Sequence, residues 1–279
     1  MRAKELRQLN KFEAGLQPFF VQQHRMMPWR SPKIKPDTHG VLDPYAILVS
    51  EMMLQQTQVR RVVPKYEAFM ARFPTMTDVA TAQLADVLKL WQGLGYNRRA
   101  KYLWQAAQLI VQQYKGQFPQ TIKELQTLPG IGPNTAGAIL AYAYNQPVQF
   151  IETNIRTVYI HHFFEGKQSI PDKSISTVLG QTLNKTNPRE FYWALMDYGT
   201  FLKPHIGNLS RSSHSYTKQT AFHGSKRQLR GQILTILSST PNTRLELHKL
   251  LADERLDTIL NELTNEQLIS RTSGRYVLG

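Results

Sequence analysis

Apolar residues recur at helical intervals along most of this chain. Leu6, Leu9, Phe12, Leu16, Phe19 and Phe20 share one face of a helix over residues 4–23, the stripe of an amphipathic helix that covers a core. The polar, proline-rich stretch SPKIKPDTHGV at 31–41 reads as a loop. A second helix opens at DPYAILVSEMMLQQT, where Asp43 makes a good N-cap and Pro44 a good first residue. Its apolar stripe takes in Ile47, Leu48 and Leu54, and with them Glu51. Three more helical patterns fill residues 58–115. The stretch LPGIGPNTAGAILAYAYNQPVQFIETN at 128–154 reads as a tight turn, a buried helix, a short loop and a carboxylate at the mouth of the next helix. A further helix covers FYWALMDYGTFLK at 191–203. From residue 226 on, three short helical patterns and a final RTSGRYVLG fit a winged-helix-like unit with a small β-wing.

Composition narrows the chemistry. A chain of 279 residues can hold a proper core, two domains and an appendage. Its formal charge of +14 points to a polyanionic partner, nucleic acid or an anionic membrane. No apolar run approaches the roughly 20 residues that span a bilayer. The opening MRAKELRQLNKFEAGL carries acids and no apolar signal core, so a soluble, cytoplasmic protein is expected. With no cysteine, disulfides, thiolate zinc sites and the usual iron–sulfur cluster are excluded. The histidines show no ligand spacing, so no metal is expected.

Four places carry candidate chemistry. Gly130 and Gly132, followed by Pro133, can leave bare N–H groups at a helix N-terminus, a surface that suits a phosphate oxygen. On its own, Gly-x-Gly is also what an ordinary turn between packed helices looks like. Glu51 sits on an apolar face, where a carboxylate is rare unless it is partnered or works. Pairing with a core arginine is the structural alternative. In WQGLGYNRRAKYL, Gly93 and Gly95 make a turn that presents Tyr96 with Arg98, Arg99 and Lys101 close behind. An aromatic tip beside cations suits a nucleic acid, although Tyr96 could equally be core. Residues 198–245 contain no acid, and SRSSHSYTKQTAFHGSKRQ reads as a flexible basic strap for a DNA backbone, or simply as disorder.

LPGIGPNTAGAIL, with Glu152 twenty positions past Gly132, resembles the helix-hairpin-helix of the DNA glycosylase superfamily that includes endonuclease III and the MutY-type adenine glycosylases. The resemblance covers about residues 20–200. It implies an all-α, two-lobed fold: residues 1–43 and 145–203 as one lobe, 44–144 as the other with the hairpin, 204–225 as a basic linker and 226–279 as the winged-helix-like unit. SEMMLQQTQV is similar to the segment that bears the catalytic glutamate of MutY-type enzymes, and this match is the most diagnostic of adenine. By the same resemblance Gln55, Gln56 and Tyr96 wedge into the DNA, Arg98 and Arg99 meet phosphates, and Trp29 and Arg30 line the base pocket. Asn154 stands beside the carboxylate on the opening turn. The family places an aspartate where this chain has Glu152. It places a lysine, in members that also cut the strand, where this chain has Asn134. The cluster cysteines and the Nudix-like domain of many relatives are absent. No cofactor is implied beyond a monovalent cation that the hairpin could hold.

The two carboxylates suit N-glycosidic cleavage, which needs a proton on the departing base and negative charge beside an oxocarbenium-like sugar. Desolvation is expected to raise Glu51 so that it holds a proton, and the helix N-terminus to keep Glu152 ionised. The expected enzyme is a monofunctional DNA N-glycosylase of base excision repair, with weak or no strand cleavage. It would flip and excise adenine mispaired with 8-oxoguanine or guanine in double-stranded DNA, as a nucleoid-associated monomer. Removal of thymine or uracil opposite guanine is the alternative within the superfamily. A non-catalytic DNA-binding regulator is the alternative outside it.

Overall fold

The computed structural model of the chain describes residues 3–30, 40–219 and 221–279. The loop read at 31–41 therefore lies almost wholly outside them, as does the side chain of Leu6. In chain order the helices are α1 (Ala3–Gln23), α2 (Pro44–Leu54), α3 (Val59–Arg72), α4 (Met76–Thr81), α5 (Leu84–Trp91), α6 (Arg98–Gln113) and α7 (Ile122–Leu125). They continue as α8 (Pro133–Tyr144), α9 (Thr153–Phe163), α10 (Asp172–Thr182), α11 (Pro188–Ile206), α12 (Lys226–Ser239), α13 (Arg244–Leu251) and α14 (Leu256–Asn265). The strands β1 (Asn242–Thr243), β2 (Ile269–Thr272) and β3 (Arg275–Leu278) form one small sheet. The fold is helical, as expected. Two compact units divide the chain: residues 1–47, 120–126 and 131–218 in the first, 48–119, 127–130 and 219–279 in the second.

In the first unit, α1 lays its apolar stripe on α9 and α11. The Phe12 ring meets Tyr159 at 5.6 Å and Phe163 at 5.4 Å, and Phe19 meets Tyr198 at 4.9 Å. The chargeless helix α8 is buried over Ala136–Ala143. Although the sequence grouped it with residues 44–144, it packs within this unit. A Cβ on Gly137 would come within 2.7 Å of the Phe150 side chain, so only glycine lets the two segments approach this closely. Arg189 fixes the other end of α8, donating to the carbonyls of Tyr142 at 2.5 Å and Ala143 at 2.8 Å. A cation is well placed on the free carbonyls of a helix C-terminus.

In the second unit, α3, α5 and α6 enclose Phe69, Phe73 and Trp91, all essentially without exposed surface. The C-terminal segment folds as α12 to α14 with the antiparallel sheet in the order β1–β3–β2, Asn242 opposite Tyr276 and Ile269 opposite Leu278. Its core is Leu229, Ile233, Leu247, Leu260 and Leu263. The Lys101 ammonium on α6 donates to the Glu266 carbonyl at 2.7 Å and to Gln267 Oε1 at 2.9 Å, so this segment is anchored on the helices before it.

Arg99 is the keystone of this unit. Its side chain donates to the carbonyls of Met52 (2.7 Å), Met53 (2.9 Å) and Gln55 (2.6 Å), to Gly95 (2.9 Å) and to the Thr57 hydroxyl (3.1 Å). One planar guanidinium thus ties the end of α2 to the loop before α6. Replacing Arg99 with Met is expected to cost about 3 kcal/mol by urea denaturation, because several buried carbonyls lose their donor together. Lys should not rescue it, since one ammonium cannot span both loops.

Candidate active site

In the first unit the carboxylate of Glu152 caps its own helix. Glu152 Oε1 accepts the N–H of Asn154 at 2.5 Å and of Ile155 at 3.0 Å, so the side chain folds back onto the first turn of α9. The residue before it is fixed from α8. Asn134 Nδ2 donates to the Ile151 carbonyl at 2.8 Å, and the Ile151 N–H donates back to Asn134 Oδ1 at 3.2 Å. Asn134 thus holds the backbone one residue before the carboxylate.

A third helix completes the cluster. Lys203 on α11 donates to Asn154 Oδ1 at 2.6 Å. One turn earlier lies Gly199, where a Cβ would stand 2.5 Å from the Asn154 carbonyl oxygen. A side chain there would push α11 off α9 and take Lys203 away from the site. Burial pushes the Glu152 carboxyl above its ordinary value, against the N–H groups of Ile155 and Asn154 and the charges of Lys203 and Arg156. Part of the residue's surface still reaches solvent, but the carboxyl lies deep enough among protein atoms to lose most of its hydration. Burial likewise lowers Lys203, with Glu152 opposing and Arg25 adding to the shift. Both directions say that desolvation outweighs the attraction between them. Burial thus works against the ionised form of Glu152 that the helix N-terminus favours.

In the second unit Glu51 lies half-buried on α2, beside the fully buried Met52 and Met53. Gln55 is half-buried with its amide 3.6 Å from Met52 Sδ, and Gln56 is exposed at the tip of the following turn. Gln56 and Tyr96 both hold left-handed backbone, with φ of 55° and 50°. That conformation is costly for a residue with a side chain and persists where surrounding contacts impose it. Gly130 also has positive φ, and a Cβ on it would meet Tyr102 Cβ at 2.8 Å, so the turn demands glycine there.

Gly132, in the first unit, is different. Its φ of −86° suits any residue and nothing lies within 4 Å of where a Cβ would point. No internal contact explains glycine at this exposed helix N-cap.

The family model of the HhH-GPD superfamily of base excision DNA repair proteins matches residues 49–181. The adenine DNA glycosylase of Mycobacterium tuberculosis is 34% identical over 291 residues, covering 95% of this chain and 93% of the relative. The chain belongs to this family. The adenine DNA glycosylase of Mycolicibacterium smegmatis is also 34% identical, over 93% of both chains. Among solved structures, a thermostable thymine-DNA glycosylase superposes with a TM-score of 0.61 at 23% identity, over 75% of this chain and 94% of the other. Endonuclease III trapped on DNA gives 0.56 at 16% identity, over 84% of this chain and all of the other. These two share the helix-hairpin-helix glycosylase fold.

Several residues of this glycosylase sit otherwise than the sequence suggested. Arg99 is buried and its N–H groups are taken by backbone carbonyls, so it shapes the loops instead of meeting phosphate. Arg30 bonds the buried Asp197 at 2.9 Å, which Arg25 also grips at 2.7 Å, forming an Arg–Asp–Arg triad, and Trp29 is buried. Arg98 is exposed and lies 3.8 Å from Glu266. The first half of the basic strap is not loose. Ser210 donates to the Thr153 carbonyl at 3.1 Å and Ser215 to Asp172 at 3.0 Å. Lys203, which nothing in the sequence singled out, belongs to the carboxylate cluster. Its isolated position eleven residues past Tyr192 on an apolar helix gave no sign of this. An iron–sulfur cluster does not fit, because it needs thiolates and the chain has no cysteine. Among the described residues no group of three or more His, Cys, Asp or Glu converges as a metal site.

A working anion at Glu152 makes base release fail on acidification at a pH above the usual glutamate value of about 4.3. Replacing Lys203 with Met removes an attraction that favours the anion and should move this acid limb further up in pH, whereas Arg should leave it in place. Single-turnover rates across pH measure both.

Proposed function

We propose that this chain is a monofunctional adenine DNA glycosylase of base excision repair. It flips adenine out of a mispair with 8-oxoguanine or guanine and hydrolyses the N-glycosidic bond. The observation that carries the reading is the retention of Glu51 on the matched segment together with a Glu152 carboxyl built into a helix cap, in a chain whose relatives over nearly its whole length are adenine DNA glycosylases.

In the proposed reaction Glu51 donates a proton to a ring nitrogen of adenine, which turns the base into a neutral leaving group. Glu152 carries its negative charge to the sugar as the bond breaks and positive character grows at the anomeric carbon. Asn154, held by Lys203, orients the carboxylate and the incoming water. Glutamate in place of aspartate keeps the charge on an arm one methylene longer, and the clamp of Asn134 on Ile151 sets where that arm begins. An amide cannot form a Schiff base, so the abasic product stays unbroken. Gln55, Gln56 and Tyr96 fill the gap left by the flipped base, whose extrusion costs a few kcal/mol and least at a mispair. Gly132 leaves the α8 N–H groups open to a phosphate. The chain acts as a monomer in the cytoplasm at the nucleoid. Among the described residues no helix is long and apolar enough to cross a membrane.

Incubation with A:8-oxoguanine, A:G, T:G and U:G duplexes, followed by alkali, tests the assignment. Strand breaks should follow only from the adenine duplexes and only after alkali. Glu51→Gln should slow release by at least about a hundredfold, the usual scale of general acid catalysis. Release from T:G or U:G alone would favour the pyrimidine reading, and breaks before alkali would contradict the monofunctional one.

A further inference from the structure

The second unit holds a cavity of about 770 Å³ whose lining shares no residue with the loop tips at Gln56 and Tyr96. One wall comes from the helices, with Leu84 at the start of α5 and Lys101 and Trp104 on α6. The other comes from the C-terminal segment, with Ile269 and Arg271 of β2 and Leu278 of β3. The Trp104 indole N–H donates to the Ala82 carbonyl at 2.9 Å, which fixes the ring while part of it stays uncovered. No aspartate or glutamate lines this cavity, although two cations do. Elsewhere in the C-terminal segment Arg244, Arg255 and Arg275 each meet a carboxylate within 3.0 Å. Lys101 and Arg271 have no such partner among the described residues. The Lys101 ammonium bonds a carbonyl and an amide oxygen, and Arg271 is exposed with its guanidinium 5.8 Å from the Tyr276 ring centre.

The same wall carries an open strand edge. In the order β1–β3–β2, β2 is outermost, and among the described residues no strand pairs on its other side. The turn between β2 and β3 is the two residues Ser273 and Gly274, both with left-handed backbone at φ of 49° and 79°, and it pins Thr272 opposite Arg275. Hydrogen bonds to β3 alternate along β2 from that pair, in step with the bond from the Gly279 N–H to the Leu268 carbonyl at 2.9 Å. The N–H and C=O groups of Ile269 and Arg271 therefore face away from β3. An unpaired strand edge is a template for another extended chain.

We propose that this cavity docks an extended acidic peptide of a protein partner, which adds as a fourth strand on the free edge of β2. Its backbone bonds Ile269 and Arg271, its apolar side chains settle against Trp104 and Leu84, and its carboxylates meet Arg271 and Lys101. Nucleic acid fits this wall less well. A phosphodiester backbone accepts hydrogen bonds but donates none, so it cannot satisfy both halves of a strand edge. The second helix of the pair α13–α14, which a helix-turn-helix lays in the major groove, carries no lysine or arginine here. The C-terminal segment is thereby assigned a recruiting role, independent of which base the enzyme excises.

A phage-displayed library of random decapeptides, selected on the full chain with saturating undamaged duplex present, tests the proposal. The duplex keeps acidic sequences off the DNA-binding surface. Enriched peptides should combine aspartate or glutamate with large apolar residues. Labelled copies should bind Arg271→Glu at least about tenfold more weakly than the wild type by fluorescence anisotropy, the low end for a close charge pair. The thermal midpoint of Arg271→Glu should match the wild type, since the residue is exposed. Methylating every second backbone nitrogen of an enriched peptide should abolish binding in one phase of the alternation and be tolerated in the other, because only one edge of the added strand is paired. Selection without acidic enrichment, equal binding to Arg271→Glu, or equal tolerance of both methylation patterns would each overturn the proposal. Arg271→Glu that weakened duplex binding and left peptide binding intact would assign the cation to phosphate instead.

Discussion

A carboxylate taken out of water remains useful as an anion only if the protein replaces its lost hydration. Everything around Glu152 serves that requirement. Two N–H groups of α9 point at its Oε1, Lys203 faces it from α11, and Asn134 on α8 fixes the backbone one residue earlier. Three helices meet there with spacing so tight that Gly199 cannot be anything larger without displacing the Asn154 backbone. Even so, burial wins over these partners and leaves the carboxyl easier to protonate than a free glutamate. That imbalance suits the proposed role of Glu152, meeting positive charge at the sugar. An anion already satisfied by its surroundings would gain little from a developing cation, whereas an under-solvated one gains much.

The second unit solves a different problem, that of holding polar loop tips rigid. Arg99 gathers carbonyls from both loops with one side chain, and burial pulls its guanidinium down to about 10 without leaving it neutral in the ordinary range. With the loops fixed, Gln56 and Tyr96 tolerate left-handed backbone and present their side chains together. Rigid, pre-strained tips lose less entropy on binding than floppy ones. Gln219 and Arg227 then reach these tips from the C-terminal segment, which gives a reason for that segment to fold against the helices at 48–119.

The helices were legible wherever one face was apolar and the ends carried a cap, as at Asp43–Pro44 and along FYWALMDYGTFLK. The hairpin glycines, Glu51 and Glu152 were singled out by a resemblance, and the structure puts Glu152 at the N-cap of α9 and Glu51 half-buried on α2. What escaped the sequence was the destination of cations. Arg98 and Arg99 are neighbours of one type, yet one is exposed and the other is buried, with its N–H groups on the carbonyls of two loops. Arg30 reads as a contact for the base, and the fold pairs it with the Asp197 carboxylate, while Lys203, unmarked in the sequence, is turned toward Asn154. Long cationic side chains choose partners through tertiary proximity, which no local period encodes. Ser210 and Ser215 show the same limit, because a polar, acid-free stretch looks disordered until the helices it bonds to are known.

The most direct measurement on this account is the Glu152→Gln variant. A glutamine keeps an acceptor for the N–H groups of Asn154 and Ile155 but carries no charge, so the helix cap and the melting temperature should survive. Base release under single-turnover conditions should nevertheless fall by about a thousandfold or more, the scale of removing one well-aimed electrostatic partner from a transition state. A folded variant that still released adenine at close to the wild-type rate would show that the charge at residue 152 does no chemistry.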